Sequence, residues 1–164
     1  MRVPQFLLVV TLLSGCGHGA PPPSAVSDKL GQAVSFSLPS DDGALVTVPL
    51  PSARVTVLDF FGPTCEPCRK KVPELIAQRG VLAARDAKLV LIGVLAEDES
   101  SDDAKRALAS WGVVAPFLVD SQGTGKREAG VTTLPATIVL DARGTLKWVA
   151  PAGASAEDVV AATE

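Results

Sequence analysis

The chain has 164 residues, 47% of them hydrophobic, and a formal net charge of -3. That length allows one domain with a real core. No internal repeat is visible, and a net negative chain lacks the basic face that nucleic acid binding needs.

Residues 1–15 read as a targeting segment rather than as structure. Met1-Arg2 is a short positive start, and residues 6–13 form an apolar stretch too short to span a bilayer. The stretch ends in Leu13-Ser14-Gly15-Cys16, which resembles a bacterial lipobox. There the leader is removed and the cysteine becomes the acylated first residue; an ordinary secretory signal with an incidental cysteine is the alternative. Three cysteines leave an odd one in an exported chain, and lipidation of Cys16 removes it. Cleavage takes away one charged residue, Arg2, so the mature charge becomes about -4. Acyl chains would hold the protein to a membrane surface. The expected place is the bacterial cell envelope, facing the periplasm or on the outer surface of the cytoplasmic membrane. Gly17, not an aspartate, follows Cys16, which under the common sorting rule points to the outer membrane. Residues 16–32 are rich in Gly, Pro, Ser and Ala and read as a lipidated tether, reaching about 50 Å at most. His18, the sole histidine, lies in it and reads as solvated.

Residues 33–164 read as the folded domain. Residues 34–38 and 45–48 alternate like strands around Ser40-Asp41-Asp42-Gly43, a turn signal, and predict a hairpin. Residues 55–61 are almost continuously apolar and predict a buried strand. A helix is expected over 66–84, kinked at Pro73. Residues 88–95 predict a second buried strand, and 102–111 an amphipathic helix with Ala104, Leu108 and Trp111 on one face. A short strand is expected at 116–119 and a loop with a helical piece at 123–130. Residues 136–140 and 145–149 predict a second hairpin around Asp141-Ala142-Arg143-Gly144. A terminal helix follows over 155–163, with Ser155 as N-cap and Asp158 at the third helical position. This order implies an α/β fold with a mixed central sheet and helices on both faces.

The chemistry sits in Asp59-Phe60-Phe61-Gly62-Pro63-Thr64-Cys65-Glu66-Pro67-Cys68, followed by Arg69, Lys70 and Lys71. A thiol at the end of a strand and the start of a helix meets unpaired N–H groups and the helix dipole, which favour a thiolate. Thiol–disulfide exchange is the chemistry suggested. An inert disulfide and half of a zinc site are the alternatives. Zinc needs two further good ligands, but there is no second C-x-x-C and the only histidine is in the tether.

The chain resembles the TlpA/ResA-like group of thioredoxin-fold thiol–disulfide oxidoreductases over nearly all of residues 33–163. The matching motifs are Asp59, Cys65-Glu66-Pro67-Cys68, Pro73 and Thr133-Leu134-Pro135-Ala136-Thr137, in that order. The resemblance implies a thioredoxin fold with an extra N-terminal β-hairpin. It implies Cys65 as exposed nucleophile and Cys68 as the resolving thiol. Asp59 would trade a proton with Cys68, a strand-end aspartate bonded to backbone being the alternative. Glu97 would lie beside the cysteines, or else in a solvated acidic loop. A cis bond at Pro135 would leave the Leu134 backbone to pair with an extended substrate, and Thr64 makes the surface beside Cys65 small and polar. Many relatives carry tryptophan where Phe61 and Thr64 stand here, and a neutral amide where Asp59 stands; Trp111 and Trp148 read as packing residues. The implied partners are proteins with disulfides, cytochrome c precursors among them, and a membrane thiol reductant as electron donor. No cofactor and no metal are implied. A thiol peroxidase shares the core, but its threonine stands three residues before the reactive cysteine, whereas Thr64 directly precedes Cys65. A lipoprotein interaction or copper-chaperone module is the non-enzymatic alternative, and the missing histidines argue against copper.

Overall fold

The computed structural model describes Val26 and residues 29–164; the expected leader and most of the expected tether, with Cys16 and His18, lie outside the described residues. Two short strands, β1 (Phe36–Pro39) and β2 (Leu45–Val48), pair antiparallel across the Ser40–Gly43 turn. Asp42 holds that turn, accepting from the Ser40 hydroxyl and from Ala44 N at 3.1 Å.

Every residue of β3 (Val55–Phe61) is buried, because neighbours cover both its edges and both its faces. It pairs parallel with β4 (Ala87–Val94) on one side. On the other it pairs antiparallel with β6 (Ala136–Asp141). β5 (Phe117–Asp120) and β7 (Leu146–Val149) complete a five-stranded sheet of order β5-β4-β3-β6-β7. This is the mixed sheet that the order of elements implies.

Alternation along β3 sends its side chains to two different cores. Val55, Val57 and Phe61 face helices α1 (Glu66–Ala77), α2 (Arg79–Ala84), α3 (Ser101–Ser110) and α5 (Ala156–Ala161), through Leu75, Leu82, Leu108 and Val159 among others. Leu58 and Phe60 face the other way, into a core closed by Phe36, Leu38 and Val48 of the hairpin and by Ala129, just past α4 (Thr124–Glu128). Each large side chain fully buried there contributes about 1.5–3 kcal/mol. Helix α4 lies close on the hairpin. A Cβ at Gly125 would stand 3.0 Å from Leu38 Cδ1 and 3.1 Å from Phe36 Cε2.

The start of α5 carries the expected chemistry, and the start of α3 has the same. Ser155 caps α5, and Asp158 returns the favour to Ser155 N at 2.8 Å; Ser100 and Asp103 repeat this capping box on α3. The long helix expected over 66–84 differs. It continues through Pro73 and is interrupted at Gln78 (φ -86°, ψ 0°), where α1 ends and α2 begins. Pro73 removes one i→i−4 bond, but Val72 and Leu75 on either side are buried and hold the helix against the sheet. The break falls where Gly80 and exposed Arg79 offer no such anchorage.

The β6–β7 turn is built on Asp141, whose Oδ1 accepts from the N–H groups of Arg143 and Thr145, both at 2.9 Å. Gly144 there has φ +82°, and its carbonyl accepts from Val34 N at 2.8 Å. An added Cβ would lie 2.7 Å from Val34 O, a backbone atom. Gly144→Ala should therefore cost about 2 kcal/mol or more, combining left-handed strain with that clash. The check is the urea midpoint of the purified domain, which should fall clearly; an unchanged midpoint would show that the turn relaxes freely.

Candidate active site

At the C-terminal end of β3 the chain turns through Gly62-Pro63-Thr64 and enters α1 with Cys65 as its N-cap. Cys65 N donates to Gly62 O and Cys68 N to Cys65 O, both at 3.1 Å, so the turn and the first helical residues wind tightly. The C-x-x-C spacing brings the two cysteines into a disulfide, with their Cα atoms 5.3 Å apart. The pair is asymmetric. Cys65 is half-buried, whereas Cys68 is 0% exposed and packs with Phe61, Val72, Leu91 and Phe117. Phe61 is fixed from two sides, edge-on to Trp111 and to Phe117 with ring centroids 5.9 Å apart in each case. Trp111 and Trp148 are packing residues, as read from the sequence.

The Leu134–Pro135 bond is cis, and both residues are half-buried at the entry to β6. A Cβ on Gly62 would lie 3.3 Å from Leu134 Cδ1 and 3.7 Å from Cys65 Cβ. Glycine at 62 thus lets the Leu134 loop close on the cysteine turn. A second cis bond, Val48–Pro49, has no counterpart in the expectations.

Thr64 is exposed beside Cys65, and its hydroxyl donates to Glu99 Oε1 at 3.3 Å. Glu99 Oε2 in turn accepts from Ala96 N at 2.9 Å, folding the loop after β4 back toward the cysteine turn. Glu97, the acid expected here, is exposed on that loop; the carboxylate that reaches Thr64 is two residues further on.

Asp59 lies two residues before the end of β3 and is 0% exposed. Its register partner in β6 is Thr137, whose Oγ1 donates to Asp59 Oδ1 at 2.7 Å. Oδ2 has no hydrogen-bond partner among the described residues. Burial is the main influence and pushes the carboxyl up to about 7; the Thr137 bond and the Lys71 ammonium pull the other way. The site thus gathers Cys65, Cys68, Thr64, Leu134 and Pro135 at one end of the sheet, with a neutral-range acid inside it. Thr137, Glu99, Gly62 and Lys71 had no role assigned from the sequence. Only Thr137 left a usable trace there, as a polar residue two places after Pro135 in a strand.

The AhpC/TSA family model matches residues 30–149. The chain belongs to the AhpC/TSA family. This AhpC/TSA chain is 21% identical over 112 residues to sporulation thiol-disulfide oxidoreductase A of Bacillus subtilis, covering 68% of this chain and 67% of that protein. It is 25% identical over 112 residues to thiol-disulfide oxidoreductase ResA of the same organism, covering 68% and 61%. The match thus spans two thirds or less of these relatives' length. The crystal structure of StoA from Bacillus subtilis has the same fold, with a TM-score of 0.69 at 20% identity over 82% of this chain and 99% of that one.

Asp59 gives this AhpC/TSA chain a pH-dependent stability of definite sign. The native acid keeps its proton where the unfolded chain, near 3.8, has lost it. Its contribution is therefore full below pH 3.8 and is lost as pH rises through about 7. Asp59→Asn should remove that loss and make the oxidised protein more stable than wild type at pH 8, by on the order of 2–4 kcal/mol. Urea denaturation of both proteins from pH 4 to 8 is the measurement. Curves that stay parallel would contradict a buried ionisation.

Proposed function

We propose that this chain is a thiol–disulfide oxidoreductase of the bacterial envelope that reduces protein disulfides. The asymmetry of the cysteine pair carries the reading: Cys65 is accessible at a helix start and Cys68 is sealed one turn inside. Open N–H groups and the helix dipole at Cys65 favour its thiolate, against the exposed Glu66 that follows.

The reaction balances on the chain's own groups. In the reduced enzyme the Cys65 thiolate attacks one sulfur of a substrate disulfide. The Cys65–substrate disulfide forms and the other substrate thiolate leaves. Cys68 gives its proton to Asp59 and attacks Cys65 Sγ, which closes the Cys65–Cys68 disulfide and releases the second substrate thiolate. Two electrons have passed to the substrate, and a dithiol donor at the membrane returns them. Leu134 and Pro135, held against the cysteine turn at Gly62, are the surface on which an extended substrate segment would lie. Lipid on Cys16 would tether the enzyme beside that donor, with disulfides of cytochrome c precursors as one substrate class. No helix among the described residues is long and apolar enough to cross a membrane.

Reduction of insulin by the dithiothreitol-fed protein is the direct test. Wild type should accelerate it, and Cys65→Ser should abolish the effect. A protein that leaves insulin intact yet consumes hydroperoxide would instead be a thiol peroxidase, and the reading would be lost. In the fully reduced protein, iodoacetamide should alkylate Cys65 first, with a pKa below the free-thiol value of about 8.5; faster labelling of Cys68 would reverse the two roles. Membrane fractionation of Cys16→Ser should show a soluble or unprocessed form, and a membrane-bound, normally processed variant would remove the lipid anchor.

A further inference from the structure

Beside the cysteines, α1, the Pro135 segment and the loop between β7 and α5 enclose a cleft of about 710 Å³. Lys71 and Thr137 both line it. Thr137 is the residue bonded to Asp59, which itself has no exposed surface. Lys71 leaves α1 half-buried and donates its Nζ to the Ala154 carbonyl across the cleft. That bond fixes a flexible cation in one place, on the wall of the cleft that Thr137, the partner of Asp59, also lines.

We propose that Lys71, latched to the Ala154 carbonyl, is a positioning residue that keeps Asp59 able to ionise at neutral pH and so able to take the proton of Cys68. The inference rests on the proton role given to Asp59 under the proposed function. The physical need is plain from the surroundings. Asp59 stands between apolar strands, with Leu91 as its β4 partner and Thr137 as its single hydrogen bond. A buried acid with one unpartnered oxygen stays protonated unless a positive charge offsets desolvation. Lys71, latched in the cleft that Thr137 lines, is the cation placed to favour its ionised form.

The other charged or titratable groups facing this region do not replace it. Cys68 on α1 is the proton donor itself. Asp158 on α5 is negative and already bonded to Ser155, and it too is favoured by Lys71. Glu157 holds Gln78 at 3.3 Å, and Lys70 lies exposed with Glu74 at 3.9 Å. Removing Lys71 would therefore leave Asp59 without a compensating charge.

Three variants separate charge from latch. Lys71→Met removes both, Lys71→Gln keeps an amide donor without charge, and Lys71→Arg keeps the charge. The first readout is the side-chain carboxyl titration of Asp59 in the oxidised protein by carbon NMR, which needs no turnover. Met and Gln should raise the midpoint by about one pH unit, the low end for loss of a nearby opposite charge, and Arg should restore it. The second readout is the single-turnover rate at which Cys68 resolves a Cys65 mixed disulfide. At pH 7 it should fall about fivefold in Met and Gln, as the ionised share of Asp59 falls, and recover at higher pH. An Asp59 midpoint unmoved in folded Met and Gln variants overturns the inference. Asp59→Asn distinguishes the underlying reading: if it resolves at the wild-type rate, Asp59 is not the proton acceptor, whatever Lys71 does to its titration.

Discussion

A carboxyl group inside the central strand is the constraint around which the active end of this domain is organised. Strand β3 is hydrogen-bonded on both sides and covered on both faces, so an acid within it cannot reach water by a side-chain rotation. Its ionisation has to be managed by whatever the neighbouring elements bring to it. β6 brings Thr137 in register, and α1 brings Lys71 one turn beyond the cysteines. The same strand delivers Cys65, because its end is the turn into α1. The buried carboxyl and Cys65 therefore share one rigid support. Their spacing is set by the strand and the helix start, with no long loop between them.

The two halves of that support are joined at a single close approach. Gly62 leaves room for Leu134, so the loop entering β6 touches the turn that carries Cys65. Phe61, directly before it, is held by Trp111 and Phe117. The floor beneath the disulfide is thus aromatic and closely packed, and the rim is made by small or polar groups: Gly62, Thr64 and the Glu99 carboxylate.

Much of this was legible in the residues, for reasons that can be named. The run Val55–Phe61 reads as one buried strand because both faces demand apolar groups, and the structure has those same bounds. Cys65 and Cys68 announce themselves by spacing, and Ser155 with Asp158 by the reciprocal geometry of a capping box. What stayed hidden depends on register and long-range packing. Thr137 becomes the partner of Asp59 only when β6 pairs antiparallel with β3, 78 positions away. Glu99 becomes the partner of Thr64 only because the loop after β4 bends back on its own Ala96 amide. The residues from 66 to 84 favour one helix, but the chain breaks at Gln78, past the point where buried Val72 and Leu75 hold it against the sheet. In each case tertiary contacts outweighed a local preference.

The N-terminal hairpin bears on what the smallest folding piece of this protein can be. It lies outside the five-stranded sheet and contributes nothing to the cysteine turn, which makes it look like an ornament. Yet Phe36, Leu38 and Val48 are the lid on Leu58, Phe60, Ile92 and Ile138, and Gly125 of α4 is shaped to the hairpin's side chains. A chain begun at β3 would open that face of the sheet to water where the hairpin covers it, at about 1.5–3 kcal/mol for each large side chain exposed. Losses of that size become comparable to the 5–15 kcal/mol margin of a typical domain once about four or five residues are uncovered. The redox centre cannot be excised as a module by itself; the hairpin is part of the unit that any transplanted or minimised version would have to carry.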